Sequence, residues 1–268
     1  MRNRTLVMGV LNVTPDSFFD GGLYLSPDKA YLRAMQMIEE GCDVIDIGGE
    51  SSRPGAVPIG ADEEKRRILP VLEALQGISI SLSVDTYRAE TARIALKYGV
   101  SMVNDISAFR LDPDLVEVVA EAGCQYVLMH MQGTPQTMQI NPRYEDVVSD
   151  ICYFFEERLK FATEHGVKEE KVWLDPGFGF GKTVEQNLTL LRRIKEFFQF
   201  GRPVLVGTSN KSTIGAVLNL PVEERLEGTS ATVAWAVFQG VHGVRVHNVK
   251  EMVRVVRMSE AIMYGVKG

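Results

Sequence analysis

VIDIGGE (44–50), LSVDT (82–86), MVNDI (102–106) and VWLDPGFGFGK (172–182) are four apolar runs that end alike. Each is short, rich in β-branched residues and followed by turn formers, the composition of a β-strand. Each run leads into one polar residue, which places Asp46, Asp85, Asn104 and Asp175 at the carboxyl ends of strands. In parallel sheets, open or closed, ligands bind at that edge. If the four strands are neighbours, three carboxylates and an amide line one pocket.

Working outward, strand-like and helix-like segments alternate along the whole chain. Leu6–Leu11 is strand-like. A helix opens at Ser26-Pro27-Asp28, shows an apolar face of Ala30, Ala34 and Ile38, and closes at Gly41. Strand 43–47 and a glycine- and proline-rich loop (48–60) precede a helix from Asp62 to Leu75, which Pro70 should kink. Strands at 79–84, 101–104, 125–129, 171–174, 203–206 and 243–246 each lead into a helical pattern. Val147, Ile151, Phe155 and Leu159 share one face of the longest, near 144–165. Thr183 with Gln186 forms a capping box, Lys211 to Gln239 is helical, and Asn248 with Glu251 caps the last helix. Eight such units predict a single-domain (β/α)₈ barrel over 1–268. An open doubly wound sheet would use fewer strands and one dominant glycine-rich turn.

The 268 residues are 45% hydrophobic and 24% charged, which suits a large soluble core. A net charge of −6 argues against nucleic-acid binding but not against a local anion site. Cys42, Cys124 and Cys152 are widely spaced and read as buried reduced thiols. No apolar run is long enough to span a membrane. Asn12 to Asp16 interrupts the first apolar stretch before a signal core could form, so the expected compartment is the cytoplasm.

In a barrel all strand ends share one mouth. In order they are Asn12, Asp46, Asp85, Asn104, Met129-His130, Asp175, Gly207-Thr208-Ser209 and Arg245-Val246-His247. Any one could be a helix cap or loop ligand, and Asp16, Asp105 and Asn248 suit that role best. Eight inward caps are a poorer reading than one pocket. DPGFGFGKT (175–183) nearly matches a phosphate-cradling loop, but Pro176 stands where the first glycine belongs. Its glycines suit a backbone passing close to a ligand, with Phe178 and Phe180 offering rings. Arg53, Lys182, Lys211, Arg245 and His247 would make the anion site. Two glycine-rich loops, after Asn12 and around Arg53, suggest lids. His130 reads as a structural histidine, and no cluster has metal-ligand spacing.

Four motifs together, MGVLNVTPDSFFDGG (8–22), DIGGESSRPG (46–55), DPGFGFGK (175–182) and VRVHNV (244–249), closely resemble the dihydropteroate synthase family. The match spans about residues 6 to 264. The resemblance implies a homodimeric (β/α)₈ barrel that joins a dihydropterin methyl pyrophosphate to p-aminobenzoate. It implies pterin binding by Asp85, Asn104, Met129, Asp175 and Lys211. Pyrophosphate would be held by Asn12, Ser52, Arg53, Arg245 and His247, with Asn12 also on Mg²⁺. Pro54, Phe180 and Ser212 would form the aminobenzoate pocket. Arg53, Lys211, Arg245 and His247 are the expected catalytic set, and Asp46 has no assigned role.

The chemistry expected is ionisation of the C–O bond followed by amine attack. A recognition wall of acceptors would face a separate cationic leaving-group site, and Arg245→Ala should cut turnover far more than it disturbs folding. The sequence departs from the family pattern at Asn210, where Arg is usual, and at Asn248, where Asp is common. The first departure puts aminobenzoate and sulfonamide binding in question. Alternatives are a methyltetrahydrofolate-dependent methyltransferase and a non-catalytic pterin-binding paralogue.

Overall fold

A computed structural model describes residues 4–14 and 27–266. Asp16, the Ser26 cap and residues 15–26 of the glycine-rich loop after Asn12, which the sequence suggests as a lid, lie outside the described residues. Eight parallel strands alternate with helices: β1 (Leu6–Asn12), α1 (Pro27–Glu39), β2 (Val44–Gly48), α2 (Ala61–Ala74), β3 (Ser81–Asp85) and α3 (Ala89–Lys97). There follow β4 (Met102–Asp105), α4 (Leu115–Ala122), β5 (Gln125–Met129), α5 (Val147–Glu164), β6 (Val172–Asp175) and α6 (Val184–Arg192). The chain ends with β7 (Leu205–Val206), α7 (Ser212–Leu218), α8 (Leu226–Gln239), β8 (Gly243–Val246) and α9 (Val249–Tyr264).

The strands run in the order β6-β5-β4-β3-β2-β1-β8-β7. A bridge between Leu174 and Val204 joins the two outer strands, with the Leu174 N–H donating to Pro203 O at 2.9 Å. The expected (β/α)₈ barrel is the observed fold.

Two apolar cores follow from the period-two alternation of strand side chains. Met8, Val44, Met102, Val127 and Leu205, with Leu6 and Trp173, form a cluster of their own. Their strand neighbours Val7, Ile45, Val103, Leu128, Leu174 and Val206 belong instead to the large core shared with the helices. The first cluster therefore plugs the barrel interior. Steps of two along the strands from this plug reach Asn12, Gly48, Asn104, Met129 and Asp175, so these residues also point inward. Asp85 pairs in register with both Gly48 and Asn104 and joins them. The parity of β8 adds Arg245.

That parity also sorts the acids. Asp46 pairs with Val10 and Ser83, two residues below the end of β2. It lies one layer beneath the mouth, not at the strand end where the sequence reading put it. Asp105 has the opposite parity and faces the helices. Its carboxylate accepts the Ser107 and Phe109 N–H groups, both at 2.7 Å, and the Tyr126 O–H at 2.6 Å.

Several local expectations need adjustment. The α1 face buries Ala30, Ala34 and Met37, with Ile38 half-buried. Helix α2 continues through Pro70. The Lys211–Gln239 stretch is two helices, broken where Asn219 adopts a left-handed φ of 56°. The Thr183–Gln186 capping box forms. Asn248 makes no side-chain cap, because its Oδ1 accepts from Asn210 instead. All three cysteines are free, but only Cys42 is buried and the other two are half-buried.

Candidate functional site

At the centre of the mouth Arg245 ties two carboxylates together. Its Nε donates to Asp46 Oδ2 at 2.7 Å and its Nη2 donates to Asp85 Oδ2 at 2.7 Å. The same Asp46 oxygen accepts from Asn104 Nδ2 at 2.9 Å. Asp46 is fully buried (0% exposed), so it cannot itself be an open binding surface. Its place is structural and electrostatic. It fixes the Arg245 fork, and it holds the Asn104 amide nitrogen so that Oδ1 is left as an acceptor. Its own second oxygen, Oδ1, has no partner among the described residues.

This frame corrects the picture of a recognition wall facing a separate cationic site. The guanidinium is ion-paired to the wall, and only Nη1 makes no hydrogen bond among the described residues. Burial raises the Asp85 carboxyl to about 7, against the opposing charge of Arg245. For Arg245 burial acts to lower the pKa, but Asp46 and Asp85 outweigh it and the guanidinium is held charged.

The loop after β6 forms the second side. Asp175 Oδ1 accepts the Gly177 N–H at 2.7 Å, and burial raises its pKa despite that bond and the nearby Lys211. Gly177 has φ 68°, and a Cβ there would sit 1.9 Å from the His130 carbonyl oxygen. Gly179, at φ 83°, leaves room for the Lys211 stem, whose Cδ would lie 3.0 Å from an added Cβ. Lys211 Nζ rests 4.1 Å from the Phe180 ring centroid. Burial, then repulsion from Arg245, lowers Lys211 to about 8. Phe180 joins Ile106, Met129, Met131, Met138 and Tyr87 in an apolar cluster beside the carboxylates, a surface suited to the face of a flat ring.

Lys182 does not belong to the anion site. Its ammonium donates to Gly177 O and Phe180 O, both at 2.9 Å, and to His130 Nδ1 at 3.0 Å. All three of its protons are used inside the fold, under the glycine loop. His130 is buried, packs edge-on against Phe154 and has its pKa driven far down by burial and by Lys182. It is a structural histidine, as the sequence suggested.

On the cationic side His247 lies next to Ser209. The His247 backbone N–H donates to Ser209 Oγ at 3.2 Å, and its Nδ1 lies 3.0 Å from the same oxygen. Burial, then Arg245, Lys211 and Arg53, lowers its pKa to about 3, so the imidazole is neutral in the free site. Arg53 and Pro54 are exposed at the tip of the loop after β2, and Ser52 is half-buried. The base of that loop is fastened. Arg88 donates to Glu50 Oε2 at 2.7 Å and to Glu64 Oε2 at 2.9 Å, while Glu50 also accepts from Tyr87 O–H and Ile59 N–H. The tip is held by the Gly55 N–H on Pro135 O at 2.9 Å. Ser212 is exposed at the first position of α7.

The two departures from the family pattern meet each other. Asn210 Nδ2 reaches Asn248 Oδ1 at 3.5 Å. Asn210 also adopts φ 57°, a left-handed conformation that asparagine tolerates well. Its backbone N–H is held by Thr229 Oγ1 and its carbonyl by Arg225 Nη1. The amide pair thus links the loops after β7 and β8.

Residues 8–247 match the family model described as pterin binding enzyme. A dihydropteroate synthase of Escherichia coli strain K12 is 46% identical over 258 residues, covering 96% of this chain and 91% of that protein. A Yersinia pestis dihydropteroate synthase solved with a sulfonamide drug superposes with a TM-score of 0.93 at 42% identity, covering 97% of this chain and 94% of that one. A Xanthomonas albilineans dihydropteroate synthase solved with 4-aminobenzoic acid gives a TM-score of 0.92 at 39% identity, covering 98% and 94%.

Proposed function

The chain belongs to the pterin-binding enzyme family, as one of its dihydropteroate synthases, and from that premise we propose how its residues divide the reaction. The reaction condenses 6-hydroxymethyl-7,8-dihydropterin pyrophosphate with p-aminobenzoate, giving 7,8-dihydropteroate and pyrophosphate in folate synthesis. The observation that carries the assignment of roles is the fork of Arg245 between Asp46 and Asp85.

Asp85, Asp175 and the freed Oδ1 of Asn104 are acceptors, which suits the adjacent N–H donors on the pyrimidine edge of a pterin. Lys211 supplies a donor to a ring carbonyl or ring nitrogen. Met129 and its apolar neighbours pack on the ring. Arg245 Nη1, His247, Arg53, Ser52 and Asn12 receive the pyrophosphate. Ser212, Phe180 and Pro54 receive p-aminobenzoate, the hydroxyl of Ser212 meeting the carboxylate and Phe180 the ring.

Departure of pyrophosphate takes the C–O bonding pair with it, and Arg245, Arg53 and His247 stabilise that growing negative charge. The exocyclic methylene becomes a cation conjugated with the electron-rich pterin, and Asp175 and Asp85 favour it electrostatically. The arylamine lone pair then forms the C–N bond, and the new ammonium loses its proton to pyrophosphate or water. No strongly basic side chain is required.

Magnesium fits this site as an ion carried mainly by substrate. Among the described residues no group of three His, Cys, Asp or Glu side chains could hold a metal. Asn12 Oδ1 makes no hydrogen bond among them and lies over Gly48, where an added Cβ would come within 3.4 Å. One open amide oxygen suits an ion otherwise bound by phosphate oxygens and water. When bound, that ion neutralises charge on the leaving group.

Protein incubated with Mg²⁺, the pterin pyrophosphate and p-aminobenzoate should form dihydropteroate. Absence of product from folded protein that still binds pterin would favour the non-catalytic alternative. A pH dependence follows from Asp85. The protonated acid cannot accept the pterin N–H groups, so affinity should fall as pH drops through about 7. Calorimetry with the unphosphorylated pterin should show roughly tenfold weaker binding near pH 6 than near pH 8. Affinity that stays flat across that range would contradict the assignment of Asp85.

Homodimer formation is part of the same proposal. Val217 and Leu218 on α7, Trp235 and Phe238 on α8, and Met258 and Ile262 on α9 are exposed apolar side chains, a face suited to a second copy. No helix among the described residues is long and apolar enough to cross a membrane.

A further inference from the structure

We propose that Ser209 is a positioning residue that fixes the tautomer of His247, so that Nε2 carries the proton and faces the leaving group as a donor. The inference rests on the reading of His247 as a pyrophosphate ligand, and it gives a specific role to Ser209, which the sequence places only among the strand ends at the mouth.

A serine hydroxyl has one proton to donate and two lone pairs to accept with. Ser209 Oγ already accepts the His247 backbone N–H at 3.2 Å, and it lies 3.0 Å from Nδ1 of the same residue. If Nδ1 carried the proton, Oγ would accept twice and its own O–H would have to find another acceptor. No other hydrogen bond of the Ser209 side chain exists among the described residues, and Ser209 is 4% exposed. A buried hydroxyl proton left without a partner is costly. If Nδ1 is bare, every group is satisfied: backbone N–H to Oγ, and Oγ–H to Nδ1.

The proton of the neutral ring is then on Nε2, which makes no hydrogen bond among the described residues. Burial keeps this ring neutral, and the charges of Arg245, Lys211 and Arg53 add to that effect. A neutral imidazole with the wrong tautomer would present a lone pair, not a donor, to a phosphate oxygen. Fixing a histidine proton through a hydrogen bond on the other nitrogen is a general way to set such polarity.

The register of the barrel makes this contact possible. Val206 at the end of β7 pairs with Val244, which leaves Ser209 and His247 three residues beyond the paired positions on adjacent strands. Thr208, beside Ser209, is separately held by Thr232 Oγ1 at 2.9 Å. The serine is therefore presented by a fixed segment.

Nitrogen NMR on ¹⁵N-histidine-labelled protein tests the proposal directly. The chain has 4 histidines, and His247→Gln identifies the signal of interest. The wild-type signal should show a neutral ring protonated at Nε2, and Ser209→Ala should shift it to a mixture of tautomers. Pyrophosphate affinity, read by calorimetry, should fall about tenfold in Ser209→Ala, the effect expected for a misdirected hydrogen bond. Ser209→Thr, which retains the hydroxyl, should recover the tautomer and most of the affinity. In a His247→Gln background, Ser209→Ala should cost nothing further.

A wild-type ring protonated at Nδ1 would overturn the proposal whatever the affinities. Loss of affinity in Ser209→Ala with an unchanged tautomer would overturn it too, since the serine would then act only as packing. If His247→Gln itself leaves pyrophosphate affinity intact, the underlying reading of His247 fails, and the NMR result shows separately whether the tautomer is set by Ser209.

Discussion

Arg245→Ala is expected to lower dihydropteroate turnover by roughly a hundredfold to a thousandfold, the range seen when a donor to a developing anion is removed. It should also lower the melting temperature, which the sequence reading did not anticipate. The reason is the frame. Asp46 is 0% exposed and Asp85 12%, and Arg245 is the guanidinium bound to both. Removing it leaves one buried and one half-buried carboxylate a layer apart with no cation between them. Breaking a buried pair by deleting one partner costs about 3–5 kcal/mol. Arg245→Lys should be intermediate, because an ammonium is a single point charge and cannot reproduce a fork that spans two acids. Steady-state kinetics together with thermal denaturation provide the check. A variant with reduced turnover and an unchanged melting temperature would show that the frame is not under electrostatic load.

Gly177→Ala is the second change with a large expected effect. An added methyl would meet the His130 carbonyl oxygen at 1.9 Å, and the backbone φ of 68° is already unfavourable for alanine. The contact is with backbone, so it cannot be relieved by rotating a side chain. The loop must move, and with it go the Gly177 N–H on Asp175 and two of the three acceptors of the Lys182 ammonium. Destabilisation of about 3 kcal/mol or more is expected from strain and lost buried hydrogen bonds together. Pterin affinity should fall with it, because Asp175 loses the bond that aims its carboxylate. Denaturant titration and pterin calorimetry on the same preparation would expose any disagreement. Near-normal stability would mean that the glycine loop is not packed against the strand β5 exit as described.

The barrel was legible because its determinants are local and periodic. Short β-branched runs, glycine stops and caps recur eight times, and the Thr183 capping box is read directly from spacing. The mouth residues were legible because strand ends in a parallel barrel must converge. Depth was harder to see. Asp46 precedes Ile47-Gly48, so its strand continues for two more residues, and counting in twos from the strand end would have placed it in the lower layer.

Lys182 and Lys211 look equivalent in a list of cations near the mouth. Only the course of the glycine loop shows that one ammonium is enclosed by carbonyls and the other rests on Phe180. The Asn210–Asn248 contact joins positions 38 apart, and the Ser209–His247 contact spans the same interval between strands. No local pattern announces such contacts. The Arg88–Glu50 staple under the Arg53 loop escapes a sequence reading for the same reason, since its two half-buried charges meet only after folding.

The central claim is that pterin recognition and the leaving-group site are one electrostatic unit, joined through Asp46 and Arg245. Asp46→Asn tests it most directly, because Asp46 is buried beneath both and is assigned to contact neither substrate. Calorimetry on this variant with 6-hydroxymethyl-7,8-dihydropterin and, separately, with pyrophosphate should show both affinities reduced. The pterin loses because Asn104 is no longer held to present its oxygen, and the pyrophosphate loses because the Arg245 fork is no longer fixed. Weaker pterin binding with unchanged pyrophosphate affinity would contradict the account and restore two separate sites.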